Sequence, residues 1–330
     1  MQLQPDAMVF VRDHEDHSSL EPYRFRFEPL VRACRRLRPD FDIQSTAILT
    51  GLNNLRQIFK FASGTDRRPF RIDLQMLGTT LMMTRWEKDP STMTQTSLCR
   101  GYGRGFERVC TKLEERIPKP TSHHRIVSYT LGSLSFVVQF EADLRSCDCR
   151  DQVRESGALE SRDELEQANW SQSLICRNPD RASPSEPRLE VTDSGIPHTL
   201  ECLVEIKSRD HKNRTTDDIM AQLWLSGCRK LYLARHVRGR FDTGGVEHVD
   251  VAQELISWQD KHEDHIAAFL SILRQVRDAI WSRQATHAAE RYALVLQYED
   301  DQKVLKLWLR DGGQEMLPDD FEQSIWSNRT

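Results

Sequence analysis

The chain has 330 residues, 38% of them hydrophobic and 29% charged, with a formal net charge of −4. That length and apolar content support one large or two ordinary domains with a full core, and exclude a disordered polyelectrolyte. A net charge so close to zero also excludes charge-driven nucleic-acid binding by the whole surface, so such contact would need a local basic patch.

Two stretches could supply that patch: Arg32, Arg35, Arg36 and Arg38, and later Arg229, Lys230, Arg235, Arg238 and Arg240. Either is more often an ordinary solvated face. The eight cysteines lack zinc-ligand spacing, Cys147-Asp148-Cys149 being the one close pair, and read as reduced thiols. No basic segment followed by an apolar one opens the chain, and no apolar run reaches bilayer-spanning length. These features predict a nuclear or cytoplasmic protein, not a secreted one, without a membrane partner.

In chain order, residues 1–22 are polar and expected to be flexible. A single domain is expected over 23–330. Ile48, Leu49, Leu52, Leu55, Ile58 and Phe59 recur at three- and four-residue steps and predict an amphipathic helix over 47–61. Alternating residues predict strands over 70–77 and 79–86, turning at Gly78. Gly101-Tyr102-Gly103-Arg104-Gly105 leads into a helix expected over 106–117, with Phe106, Val109, Cys110, Leu113 and Ile117 as its apolar stripe. Strands over 125–131 and 134–143 form a hairpin around Gly132-Ser133.

Residues at about 145–198 turn rich in Arg, Asp, Glu, Ser and Pro and read as a polar surface insertion. Such a segment costs little in loop closure, because that entropy grows only with the logarithm of length. A strand resumes over 201–207. Thr215-Thr216-Asp217-Asp218 then starts a helix with a hydroxyl cap and acids in its first turn, and Ser226-Gly227 ends it. A strand over 229–237, a turn at Thr243-Gly244-Gly245, a long helix over 251–283 and a hairpin of 292–298 with 303–310 complete the pattern. The fold class is α/β (α+β), a mixed β-sheet core flanked by helices.

The chemistry concentrates on two of these strands. Glu141-Ala142-Asp143 ends one apolar run, and Glu205-Ile206-Lys207 ends another. Residues at i and i+2 of a strand share a face, so each tip presents two ionisable groups together. Three carboxylates and an ammonium from neighbouring strands make a hard-oxygen cation site of the kind Mg²⁺ or Mn²⁺ prefers, with the Ile206 carbonyl as a further ligand. That equipment suits attack of water on a phosphodiester or pyrophosphate. Glu205-Ile206-Lys207 alone reads as an exposed cross-strand ion pair, whereas acids clustered at a strand end, as in Glu141-Ala142-Asp143, need a reason, and metal is the usual one. Asp13-His14-Glu15-Asp16-His17 and His262-Glu263-Asp264-His265 resemble metal clusters but read as solvated charge runs.

Taken together, these residues resemble the Rai1/DXO family of RNA 5′-end decapping nucleases, a branch of the PD-(D/E)XK superfamily, of the divergent fungal type. Four motifs stand in the family's order: Gly103 leading by four residues to Glu107, Glu141-Ala142-Asp143, Glu205-Ile206-Lys207, and the Gln222-bearing helix with its following strand. The resemblance spans roughly 50–240. It implies metal ligation by Glu107, Glu141, Asp143, Glu205 and Ile206, catalysis by Glu205, Lys207 and Asp143, and substrate binding by Lys207, Gln222 and Arg104. One or two Mg²⁺ or Mn²⁺ ions, RNA 5′ ends and a 5′–3′ exoribonuclease are the implied cofactors and partners. The implied activity is removal of incomplete or noncanonical (NAD-type) caps, with 5′–3′ exoribonuclease action beside it. Gln75 stands where the family's first motif carries an arginine, which leaves a degenerate paralogue that binds RNA or a partner exonuclease as the alternative. A related enzyme acting on DNA is the third.

Overall fold

The computed structural model describes residues 8–9, 25–66, 68–86, 102–111, 123–146, 173–177, 189–194, 199–210, 217–284, 290–299, 302–310 and 315–326. In chain order these form β1 (Met8–Val9), α1 (Glu28–Leu37), β2 (Ile48–Gly51), α2 (Leu52–Ala62), β3 (Phe70–Leu77), β4 (Thr80–Arg85) and α3 (Gly103–Cys110). Next come β5 (His124–Leu131), β6 (Leu134–Glu141), β7 (Leu144–Arg145), β8 (Ser173–Arg177), β9 (Glu190–Ser194), β10 (Leu203–Asp210), α4 (Asp217–Ser226) and β11 (Lys230–Val237). The chain closes with β12 (Arg240–Asp250), α5 (Ala252–Lys261), α6 (Glu263–Gln284), β13 (Arg291–Glu299), β14 (Gln302–Arg310) and α7 (Asp319–Trp326).

The fold is mixed α/β. Among the described residues it has two principal sheets, ordered β14-β13-β3-β4-β2-β6-β5 and β1-β12-β11-β10-β7, with β8 and β9 pairing apart. The side-chain period of two sorts each strand between faces. On the seven-stranded sheet, Ile48, Leu81, Met83, Phe136 and Val138 join the main core, whereas Leu49, Met82 and Val137 meet α1 and α7 on the far side. On the five-stranded sheet, Leu203, Leu231 and Leu233 join the main core, whereas Ile206 and Ala234 meet Phe106 and Cys110 of α3. Helices α2, α4, α5 and α6 supply the rest of that core, where Phe269 is fully buried with its ring edge-on to Phe59 at 5.8 Å. Burying a side chain of that size contributes about 2–3 kcal/mol.

Several elements depart from the sequence reading. The core divides between two principal sheets rather than forming one. The helix expected over 47–61 starts only at Leu52, because Ile48–Gly51 fills the slot between β4 and β6, parallel to both. A short apolar run of that kind fits a buried parallel strand as well as a helix turn. Residues 243–245 are not a free turn: they lie within β12, where the pairing with β11 skips between Ala234 and His236. The long helix is two helices meeting at His262, whose backbone N–H bonds the carbonyls of Trp258 and Gln259. Helix α3 ends at Cys110, and residues 112–117 lie outside the described residues. So do most of 145–198 and Asp13–His17.

Candidate active site

The site grows from the passage of the chain between the two sheets. Strand β6 ends at Glu141, paired with His124, and the Ala142 N–H bonds the His123 carbonyl at 2.8 Å. The chain then crosses and pairs antiparallel with β10, Leu144 opposite Val204 and Arg145 opposite Leu203. That register carried one step further sets Asp143 opposite Glu205. The Asp143 side chain takes the place of a strand partner: its Oδ2 accepts the Ile206 backbone N–H at 2.8 Å.

Glu205 reaches its position through a βαβ unit. Strands β10 and β11 are parallel neighbours joined by α4. The helix therefore packs across the main-core face of β10, the face that carries Glu205. Gln222, buried on α4, donates through Nε2 to Glu205 Oε1. Lys207 Nζ donates to the same oxygen and stands 4.0 Å from Asp143 Oδ2. Glu205 is only 4% exposed, so its charge is compensated within the protein by these two donors.

Glu107 arrives from α3, half-buried on the face of β10 that carries Ile206. Helix α3 is fixed by a stack of Phe106 on Phe241, centroids 4.5 Å apart, and by Tyr102 set edge-on to His236 at 5.0 Å. The electrostatic consequence falls on Asp143. Burial pushes its carboxyl up to about 8; the charges of Glu205 and Glu107 add to this, against the opposing Lys207 ammonium and Ile206 N–H. Acids held against their own repulsion in this way are a mark of functional sites.

Direct contacts join Asp143, Glu205, Ile206, Lys207 and Gln222, and Glu107 reaches Asp143 through its charge from the other face of β10. Glu141 sits exposed at the end of β6, where its charge acts on His124. Arg104 lies in the first turn of α3, its side chain outside the described residues. Gln75 is fully buried on β3 and donates through Nε2 to Glu322 of α7, on the far side of the seven-stranded sheet from the site. Arg71 bonds Asp73 at 2.7 Å and covers the Trp86 ring at 4.8 Å. Of the Arg-rich stretches, Arg32 and Arg35 both lie over Phe321 of α7, and Arg32 also pairs with Glu28.

The donor set, three carboxylates and a backbone carbonyl, suits a hard divalent cation. Among the described residues, no three His, Cys, Asp or Glu side chains are drawn close enough to grip one ion. The fit is therefore one of chemistry and charge: a cation beside Asp143 would offset the burial and the neighbouring acid charges that raise its carboxyl. Sequence reasoning missed His262, which is buried at the junction of α5 and α6 instead of solvated. Its ring stacks on Trp258 four residues earlier, a helical spacing legible in the sequence.

Comparison with solved structures finds the same fold. Rai1 of Scheffersomyces stipitis in complex with (3′-NADP)⁺ and calcium ion aligns at TM-score 0.57 and 13% identity, over 98% of this chain and 90% of that one. Candida albicans Rai1 in complex with pU5-Mn²⁺ aligns at TM-score 0.53 and 14% identity, over 86% and 76%. S. pombe Rai1 in complex with 3′-FADP aligns at TM-score 0.51 and 13% identity, over 93% and 86%. No curated protein matches the chain in sequence. Among the described residues no helix is long and apolar enough to cross a membrane. The model of one family, described as Domain of unknown function (DUF8563), matches residues 5–326, and the chain belongs to that family.

Proposed function

We propose that this protein is a metal-dependent hydrolase of RNA 5′ ends, removing incomplete or noncanonical caps, with a PD-(D/E)XK type of site. The observation that carries the reading is the convergence on Glu205: Asp143 set opposite it, Lys207 and Gln222 both on its Oε1, and the Glu107 charge reaching Asp143. The fold shared with Rai1 structures solved with pU5-Mn²⁺ and with (3′-NADP)⁺ and calcium ion supports the substrate class and the use of a divalent ion.

In this reading Glu107, Asp143 and Glu205, with the Ile206 carbonyl, would hold one or two Mg²⁺ or Mn²⁺, with Glu141 as a further carboxylate ligand. A bound ion supplies positive charge that stabilises the developing charge on the phosphoryl oxygens and makes water a better nucleophile. Lys207 orients the attacking water and neutralises a phosphoryl oxygen. Gln222 holds the Glu205 carboxylate in one rotamer, as a buried amide donor does. Nuclear or cytoplasmic residence, assembly with an exoribonuclease and a contact from Arg104 belong to the same proposal.

The test is Asp143→Asn, which keeps an acceptor for the Ile206 N–H and removes the charge. Hydrolysis of 5′-capped RNA in Mg²⁺ or Mn²⁺ should fall at least a hundredfold while RNA binding persists. Unchanged turnover would remove the metal-site reading. The spacing of the described acids, none grouped in threes around one point, favours a second reading: a paralogue that binds RNA 5′ ends without cutting them. Metal-independent RNA binding with no turnover in the wild type would select it.

A further inference from the structure

The seven-stranded sheet turns one face to the main core and the other outward. Among the described residues, α1 and α7 pack on the outer face over Leu49, Leu77, Met82 and Val137. Farther along the same sheet, on β14, β13 and β3, that face carries charged and aromatic side chains instead. Ile72 and Leu74 belong to the main core, so Arg71 and Asp73 lie on the outer face. The strand registers set Lys306, Val295 and Arg71 in one row, Trp308, Ala293 and Asp73 in the next, and Arg310 opposite Arg291 beyond them. Trp86 ends the first row, its backbone N–H bonded to the Arg71 carbonyl at 3.2 Å.

This patch holds cations against one another. Arg71 Nε and Arg310 Nη1 share the buried Asp73 carboxylate, at 2.7 and 2.9 Å. Arg291 stands directly opposite Arg310, and like charges so placed cost stability. Burial pushes the Arg310 guanidinium below its ordinary range; Asp73 opposes this, and the charges of Arg71 and Arg291 add to it. Arg291 also acts on Glu322 of α7, around which the acid charges of Glu315 and Asp319 gather. Two large rings border the cations. Trp86 and Trp308 stay 40% and 49% exposed, with the Arg71 guanidinium over the first at 4.8 Å and the Lys306 ammonium over the second at 5.9 Å. Three strand spacings, about 14 Å in all, separate β14 from β4 and so hold the rings apart.

We propose that this outer face is a stacking platform for single-stranded nucleic acid, separate from the cluster at Glu205 and indifferent to whether the strand has an end. Exposed rings on a cationic sheet face stack bases and neutralise phosphates at once, which is how such platforms bind without reading sequence. A base on each indole leaves the intervening phosphates against Arg71, Arg291 and Lys306, and their charge relieves the crowding of the cations. An acidic peptide would answer the cations but bring no flat partner to either ring. The sheet itself stands between this face and the main-core side that carries Glu205, so the platform does not depend on the hydrolase reading. RNA and DNA strands share the chemistry, and the experiment separates them.

The experiment measures equilibrium binding of circular oligouridylate and circular oligothymidylate, each of about 20 nucleotides, to the full chain with a chelator present. A circle offers no 5′ end to the Glu205 cluster. The wild type should bind at least one circle; preference for the first assigns the platform to RNA, and preference for the second to DNA. Trp86→Ala and Trp308→Ala should each weaken that circle at least fivefold and inorganic polyphosphate, which has charge without bases, less than twofold. Lys306→Gln should weaken both probes, and Trp308→Phe should restore most of the affinity. Trp86 and Trp308 are exposed on different strands, so misfolding of one variant leaves the other as the test. No binding by the wild type, or unchanged affinity in both tryptophan variants, overturns the proposal. So does poly-glutamate that binds as tightly as the circle with the same dependence on Trp308, which would mark an acidic protein partner. Loss of the circle in Glu205→Ala would place it in the catalytic cluster and overturn the platform, whereas circle binding without hydrolysis of any capped RNA sinks the proposed activity and leaves the platform standing.

Discussion

Gly239→Ala would strike the site through its support. Arg238 and Gly239 link β11 to β12 with φ of 53° and 84°, the positive values that suit a two-residue hairpin turn. A Cβ on Gly239 would lie 2.4 Å from Tyr102 Cε1, 2.7 Å from Cδ1 and 2.9 Å from Cζ. Tyr102 caps α3, so the ring must retreat by about 1 Å to reach van der Waals contact near 3.5 Å, carrying the first turn of α3 and Glu107 with it. An alanine at positive φ costs about 1–2 kcal/mol, and overpacking adds about 1–3 kcal/mol. Denaturant unfolding should therefore show a loss of about 2–5 kcal/mol, with hydrolysis down ten- to a hundredfold in the folded fraction. In a double-mutant cycle with Tyr102→Ala, only the steric part should vanish, a coupling of about 1–3 kcal/mol. A loss below 0.5 kcal/mol, or no coupling to Tyr102, would refute this account of how α3 is held.

Asp218 offers a pH test. Burial pushes its carboxyl up, but Arg56 and Lys60 outweigh burial and hold it below the usual range. A carboxyl depressed by folding stabilises the folded state above its unfolded pKa, about 4, and that contribution is lost as pH falls through the folded value. Asp218→Asn should lower stability at neutral pH and flatten the decline below about pH 4; an unchanged acid limb would contradict the pairing of α2 with α4. The buried thiols give a third: burial pushes Cys34 up to about 12, and Cys110 and Cys228 up to about 11. Alkylation at pH 7 followed by mass mapping should leave all three unlabelled until the chain is unfolded, and labelling of Cys228 in the native state would show that the core beside β10 opens.

The strands on either side of Gly78 and of Gly132-Ser133, and the hairpin of β13 and β14, were legible because two-residue alternation and turn glycines are local signals. The βαβ unit was legible in its parts, through the capped start of α4 and its stop at Gly227, whose φ is 71°. What β2 becomes could not be read, since Ile48-Leu49-Thr50 owes its state to a slot between two other strands. For the candidate site, the i and i+2 rule anticipated that Glu205 and Lys207 share a face, where they bond, and the motif order pointed to Gln222, which bonds the same carboxylate. It misjudged Glu141 with Asp143, because the strand ends between them and the chain changes sheets there.

The most direct measurement is hydrolysis of 5′-NAD, 5′-triphosphate, unmethylated-cap and 5′-monophosphate RNAs, wild type beside Glu205→Ala, in Mg²⁺ or Mn²⁺ and again after chelation. The account predicts release from at least one substrate that disappears both in the variant and on chelation. Release that survives Glu205→Ala, or silence of the wild type on all four, would contradict it.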